Sequence, residues 1–194
     1  MVRSMKGEMM RLLGIASVLF GILASGTAWA AKEVSPEDAA KAAMISMKKG
    51  DWAAYTHQMH PEALAKAKQM FRSIVAADAT GRTGEVLFGV GTPKAYDALS
   101  DSASFVALMT HLTQNFPALD EAMRTSEFHV IGTLREGENL VHIVYRADAS
   151  AEDVTITKTA VLTMRRHRDE WRMLLTGNIE GLASRLSQMT GAKR

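Results

Sequence analysis

The chain has 194 residues, with 23 Lys and Arg against 21 Asp and Glu, and no cysteine. The missing thiol excludes disulfides, cysteine nucleophiles, thiolate metal sites and lipid attachment at a processed cysteine. So close a balance of charge gives no electrostatic case for nucleic acid or for an anionic membrane surface.

The first thirty residues carry Arg3, Lys6 and Arg11 against Glu8, so the remainder holds 20 residues of each sign. Leu12 to Leu23 is uncharged and dominated by Leu, Ile, Val, Phe and Ala, and Ala28-Trp29-Ala30 presents small residues at a cleavage site. This order predicts a secretory signal peptide cut after Ala30. The apolar core is shorter than the roughly 20 residues that span a bilayer, so no membrane span is expected after cleavage. Residues 31–194 are expected as one domain, periplasmic or secreted. A chain of about 150 residues buries roughly 70% of its unfolded surface and can hold together without disulfides.

Ser35 reads as a helix cap, with Pro36 at the first helical position and Glu37 and Asp38 at the positive end of the dipole. Ala39, Ala40, Ala43, Met44 and Met47 form one apolar face, and Lys48-Lys49-Gly50 closes the helix. Asp51 can cap a second, short helix containing Trp52, Tyr55 and Met59. Pro61 opens a third, to about Asp78, with Leu64, Ala67, Met70, Phe71, Ile74 and Val75 inward. Thr80 to Pro93 is rich in Gly and Thr, and its centre, Glu85 to Val90, is expected as a short strand. A fourth helix is expected from about Asp101 to Phe116, with Phe105, Met109, Leu112 and Phe116 as its buried stripe and Pro117 as its stop.

Beyond Pro117 the apolar period changes from 3.6 to 2. Phe128, Val130, Gly132 and Leu134 alternate with more polar residues, and Glu136 to Asn139 reads as a hairpin connection around Gly137. A symmetric hairpin sets Leu134 opposite Val141, Gly132 opposite Ile143 and Val130 opposite Tyr145, giving one apolar face. Asp148 to Asp153 reads as a turn. The strand after it places Ile156, Ala160, Leu162 and Met164 on one face and Thr155, Thr157, Thr159 and Thr163 on the other. Arg165-Arg166-His167-Arg168, followed by Asp169-Glu170, reads as a solvated hairpin end. Trp171, Met173 and Leu175 form the next strand, ended by Gly177, and a last helix runs from about Ile179 to Met189. The expected class is α+β, with N-terminal helices packed on a curved antiparallel sheet of about four strands. The helices cover the apolar sheet face, and the Thr- and Arg-rich face meets water or a partner.

Gly50-Asp51-Trp52 after an amphipathic helix, Met59-His60-Pro61-Glu62 before a longer one, and curved strands ending in Trp171-Arg172-Met173-Leu174 together resemble the nuclear transport factor 2-like superfamily, which includes polyketide cyclase-like enzymes. The resemblance covers roughly Pro36 to Gly177. It departs in the helix around Asp101 to Phe116 and in a faint first strand. It implies a cone, a cystatin-like roll, with a pocket between the helices and the concave sheet face. Enzymes, binding modules and scaffolds share that fold, so it does not choose a function.

Residue chemistry narrows the choice. His57 and His60 have the spacing of a metal pair on a continuous helix, but Pro61 follows at once and no third ligand is evident. They read as solvated helix-end histidines, and no metal and no cofactor is expected. His142 points to the Thr and Arg side of the sheet, opposite Thr133, while His129 and His167 read as exposed. Trp52, Tyr55, His111 and Tyr145 are the candidate pocket-lining residues, Tyr145 because a buried hydroxyl needs a partner. No Gly-x-Ser-x-Gly or phosphate-cradling glycine loop occurs. The inward sheet positions read as apolar, which argues against acid/base catalysis. The function expected is binding of a small apolar ligand or an envelope protein, the alternative being a cyclase, isomerase or hydratase. The open sheet face suits a homodimer.

Overall fold

The computed structural model describes residues 34–151 and 154–190; the expected signal peptide and its cleavage after Ala30 lie outside the described residues. The first three helices are α1 (Pro36–Lys48), α2 (Trp52–His57) and α3 (Pro61–Ala77). Their starts follow from side chains that satisfy free backbone donors. Ser35 accepts the Asp38 N–H, and Asp51 accepts the Ala54 N–H at 2.9 Å. His60 caps α3, its Nδ1 accepting the Glu62 N–H at 3.2 Å. Pro36 and Pro61 take first-turn positions where a missing N–H costs nothing.

The strand expected at Glu85–Val90 is instead helix α4 (Arg82–Phe88). A short apolar run such as Val86-Leu87-Phe88 fits a buried strand or a buried helical turn equally well by periodicity. The glycines decide between them. Gly81 and Gly89 both lie in the left-handed region, at φ 72° and 66°, as the caps of α4. Asp78 organises the entry, its carboxylate accepting the N–H groups of Thr80 and Thr83 at 2.9 and 2.7 Å. A further short helix, α5 (Pro93–Ala98), was not expected; Thr92 caps it, and it carries the fully buried Tyr96. Helix α6 (Asp101–Asn115) has the expected bounds within a residue. Pro117 follows its end but also opens α7 (Pro117–Thr125), a helix the sequence reading missed.

The strands β1 (Glu127–Glu136), β2 (Leu140–Ala151), β3 (Val154–His167) and β4 (Glu170–Met173) pair antiparallel in the order β1-β2-β3-β4, and α8 (Gly177–Thr190) follows. Val130 pairs with Tyr145 as expected, but the register shifts between Val130 and Gly132. A glycine inside a strand is a common place for such a bulge. Beyond it Thr133 meets Ile143, Leu134 meets His142 and Arg135 meets Val141. Leu134 therefore lies on the outer face, 66% exposed. Arg135 turns to the inner side, its guanidinium 6.0 Å from the centre of the Trp171 ring. His142 faces Leu134 rather than Thr133, and its ring nitrogens lie 3.1 Å from the Thr163 hydroxyl and 2.9 Å from Glu136.

Asp148 to Ala151 is strand rather than turn, since β2 and β3 stay paired to Ala151 and Val154. Cross-strand bonds hold these turn-forming residues extended: Thr157 donates to Asp148 at 2.6 Å, and the Ser150 and Thr155 hydroxyls are 2.8 Å apart. The basic run at the end of β3 is half-packed, with Arg168, Asp169 and Glu170 exposed at the hairpin end. Arg165 pairs with Glu62 at 2.6 Å, Arg166 lies over Trp171, and Arg168 makes the turn at φ 56°.

The core forms where the inner sheet face meets the helices. Val141, Ile143, Leu162, Met164, Trp171 and Met173 supply the sheet side, and Ala40, Ala43, Phe71, Ile74 and Leu108 are among the helical residues. The α2–α3 link docks on β4 through two backbone bonds, His60 N–H to Met173 O and Met173 N–H to Gln58 O, both 2.7 Å. They cover that sheet edge.

His57 is exposed, but His60, expected to be solvated, is 6% exposed. Its ring meets the edge of His167, itself half-buried, at 5.1 Å. Burial pushes the His60 pKa down; Glu62 opposes this, and His167, Arg165 and Arg172 reinforce it. Folding thus favours the neutral ring that caps α3. The unfolded chain takes up this proton at higher pH than the native one, so the stability is complete above the unfolded value of about 6.5 and is lost as pH falls through the folded value. Thermal unfolding between pH 7 and 5 should show this decline, and His60→Asn, which keeps a capping oxygen, should flatten it. His60→Ala should cost about 1–2 kcal/mol at pH 7.

Candidate ligand-binding site

Helix α2 places two aromatic side chains toward the sheet. Trp52, at its first position, packs edge-on against Tyr55 at 5.9 Å, and Tyr55 stacks on Phe105 of α6 at 6.0 Å and 14°. Across from them Tyr145 of β2 leans on Phe128 of β1 at 5.7 Å. These residues line a cavity of about 250 Å³ between the helices and the inner sheet face. Met44, Met47 and Met109 supply much of its helical wall, and Ala147, Ala149 and Ala160 lie on its sheet side. An adjoining cavity of about 240 Å³ runs between α1 and the first two strands, sharing Met44, Ser126, Phe128 and Tyr145 with the first.

Three of the four candidate lining residues, Trp52, Tyr55 and Tyr145, meet at this cavity. The fourth, His111, is elsewhere. Its Nε2 would stand 2.6 Å from a Cβ built on Gly89, so it closes over the end of α4. The sequence reading missed Lys158, Asn178, Phe128 and Met123 as lining residues. Lys158 carried a signal: it shares the parity of Ala160, Leu162 and Met164 and interrupts that apolar face with a charge. Met123 belongs to α7 and carried no such signal, because that helix was not foreseen.

The two tyrosines give the cavity its polar character. Burial pushes the Tyr55 phenol up to about 12, and Tyr145 adds to the shift. Burial also raises the Tyr145 phenol. Both are protonated donors at neutral pH, and among the described residues neither hydroxyl donates a hydrogen bond. Tyr96 is the contrast. Its phenol is also pushed up to about 12 by burial, but its hydroxyl donates to the Lys68 carbonyl at 3.1 Å. No His, Asp or Glu is among the residues lining either cavity. Among the described residues, no group of three His, Asp or Glu side chains is placed to hold a metal ion. Nor, among them, is any helix long and apolar enough to cross a membrane.

The difference between these hydroxyls is measurable. Tyr55→Phe and Tyr145→Phe should change unfolding free energy by less than about 0.5 kcal/mol, or stabilise, because no protein hydrogen bond is lost. Tyr96→Phe should cost about 1 kcal/mol, since it removes the hydrogen bond that a buried hydroxyl donates to the Lys68 carbonyl. Urea denaturation of the three variants checks the ranking.

No protein-family model matches the chain, and no curated protein matches it. It is similar to a solved structure, that of a NTF-2 like protein of unknown function from Shewanella oneidensis MR-1. Identity is 15%, with 72% of this chain and 91% of that one covered and a TM-score of 0.41. The chain is an α+β fold with helices on a four-stranded antiparallel sheet.

Proposed function

We propose that this chain is an exported binding domain that holds a small amphipathic molecule in the cavity between α2, α6 and the inner sheet face. The observation that carries the reading is the pair of phenols, Tyr55 and Tyr145, that line an apolar space and, among the described residues, donate no hydrogen bond. A ligand with an apolar body and one accepting polar end satisfies both features. Binding is favoured over turnover because the titrating groups at hand are phenols held protonated and lysines, with no carboxylate or imidazole to act as a base near neutral pH.

A neutral probe, octan-1-ol, tests the reading. It should raise the unfolding temperature progressively with concentration and alter tryptophan emission, a change removed by Trp52→Phe. Ala160→Leu should stabilise the free protein by ~1 kcal/mol by filling the space while weakening the binding. If octan-1-ol and octanoate both leave unfolding and emission unchanged, the reading fails.

Residues 1–30 are proposed to direct export to the periplasm or beyond and to be removed. A second copy of the chain is proposed to dock on the outer sheet face, where Leu134 and Val161 are 66% and 54% exposed. Mass spectrometry and light scattering on protein recovered outside the cytoplasm should find a chain beginning at Ala31 with twice its mass in solution. An intact leader or a monomer would remove the corresponding proposal.

A further inference from the structure

Every charged residue that lines the two adjoining cavities is a lysine: Lys158 in the larger, Lys41 and Lys48 in the smaller. We propose that the molecule bound is an unbranched monocarboxylate of medium chain length, its carboxylate held by Lys158 beside the Tyr145 phenol. This rests on the reading of the cavity as an amphipath site and adds the charge and class of the ligand.

Lys158 stands on the inner face of β3, opposite Ala147 and two residues from Ala160, the partner of Tyr145. It and Tyr145 are therefore diagonal neighbours, about 7–8 Å apart at the backbone and within joint reach of one small group. Lys158 is exposed, so its ammonium stands at the open edge of the cavity. Here its partner is a neutral amide, the Asn178 side-chain oxygen at 3.0 Å. Among the described residues, no carboxylate pairs with it. The acid nearest in sequence to Asn178 is Glu180, and it is held at 2.6 Å by Lys66 on the far side of α8 from this cavity. The mouth thus has a cation with a replaceable neutral acceptor and two phenols with donors to spare.

A carboxylate complements that set. Its two oxygens accept several bonds at once, so one can take the ammonium and the other a phenol, and charge-assisted bonds of this kind are the strong ones. A neutral alcohol or ester supplies an acceptor but leaves the ammonium uncompensated. The volume limits the rest of the ligand. About 250 Å³ lies just below the roughly 300–1,000 Å³ usual for drug-sized sites, which suits a chain of medium length.

The test compares octanoate, methyl octanoate and octan-1-ol by calorimetry on the purified protein, on Lys158→Met and on Lys158→Arg. Octanoate should bind at least tenfold more tightly than either neutral probe, and the preference should weaken with added salt. Lys158→Met should abolish the preference by weakening octanoate binding at least tenfold, and Lys158→Arg should retain part of it. Equal binding of acid and ester would overturn the proposal and leave the cavity reading standing. So would a preference that survives Lys158→Met but is lost in Lys48→Met, which would put the charged end at the other opening. If none of the three probes binds, the cavity reading falls and this inference falls with it.

Discussion

Two main-chain hydrogen bonds, from His60 to Met173 and from Met173 to Gln58, fix where the helical layer meets the sheet. They join the short segment between α2 and α3 to the edge strand β4. Residues 52–57 are therefore held at a set height above the inner face, and Tyr55 comes to look across at Tyr145. The same segment carries His60, whose imidazole caps α3 from a buried position. One short stretch, Gln58 to His60, thus ends one helix, starts the next, covers a sheet edge and orients a wall of the cavity. The fall of stability with acid follows from giving so much of that work to a titrating ring.

The cavity exists because side-chain size changes along the inner face of the sheet. Near β4 that face carries Val141, Ile143, Leu162 and Met164, and these are almost completely buried against helices. Toward the far ends of β2 and β3 it carries Ala147, Ala149 and Ala160, which cannot reach the helices opposite. Stacked aromatics on both sides, Tyr55 with Phe105 and Tyr145 with Phe128, brace the walls. The small side chains leave the space, and the rigid rings keep the walls from closing on it.

Local chemistry was legible in the sequence wherever one residue type has one local use. Ser35, Asp51 and Ser100 cap helices as their types suggest, and the prolines at 36 and 61 begin them. The strands after Ser126 were legible from their period of two. What escaped were features decided by contacts distant in the chain. Gly81 and Gly89 could as well have marked loops as the two ends of α4. Tyr96 became the largest fully buried side chain only because α5 docks on α3. Gly132 was visible as a weak point in β1, but its bulge could be placed only once β2 lay beside it, and that single residue moved Leu134 out and Arg135 in. Of the site, the aromatic residues were found and the cation was not. Lys158 is a surface residue, and only the neighbouring strand shows that it stands at the edge of the cavity.

An apolar space lined by alanines forgoes packing that would stabilise the free protein. Packing that space with larger side chains is within easy reach of single substitutions, as Ala160 illustrates, so the alanines are not imposed by the fold. Features that lower stability and are easily removed are what a binding site leaves in an otherwise consistent structure. Much else among the described residues is consistent in that sense: side chains cap α1, α2, α3, α5 and α6, the β4 edge is covered, and the packed end of the core is filled. Tyr55, Tyr145 and Lys158 line the same volume, and a ligand with an apolar chain and an anionic end would complement all three.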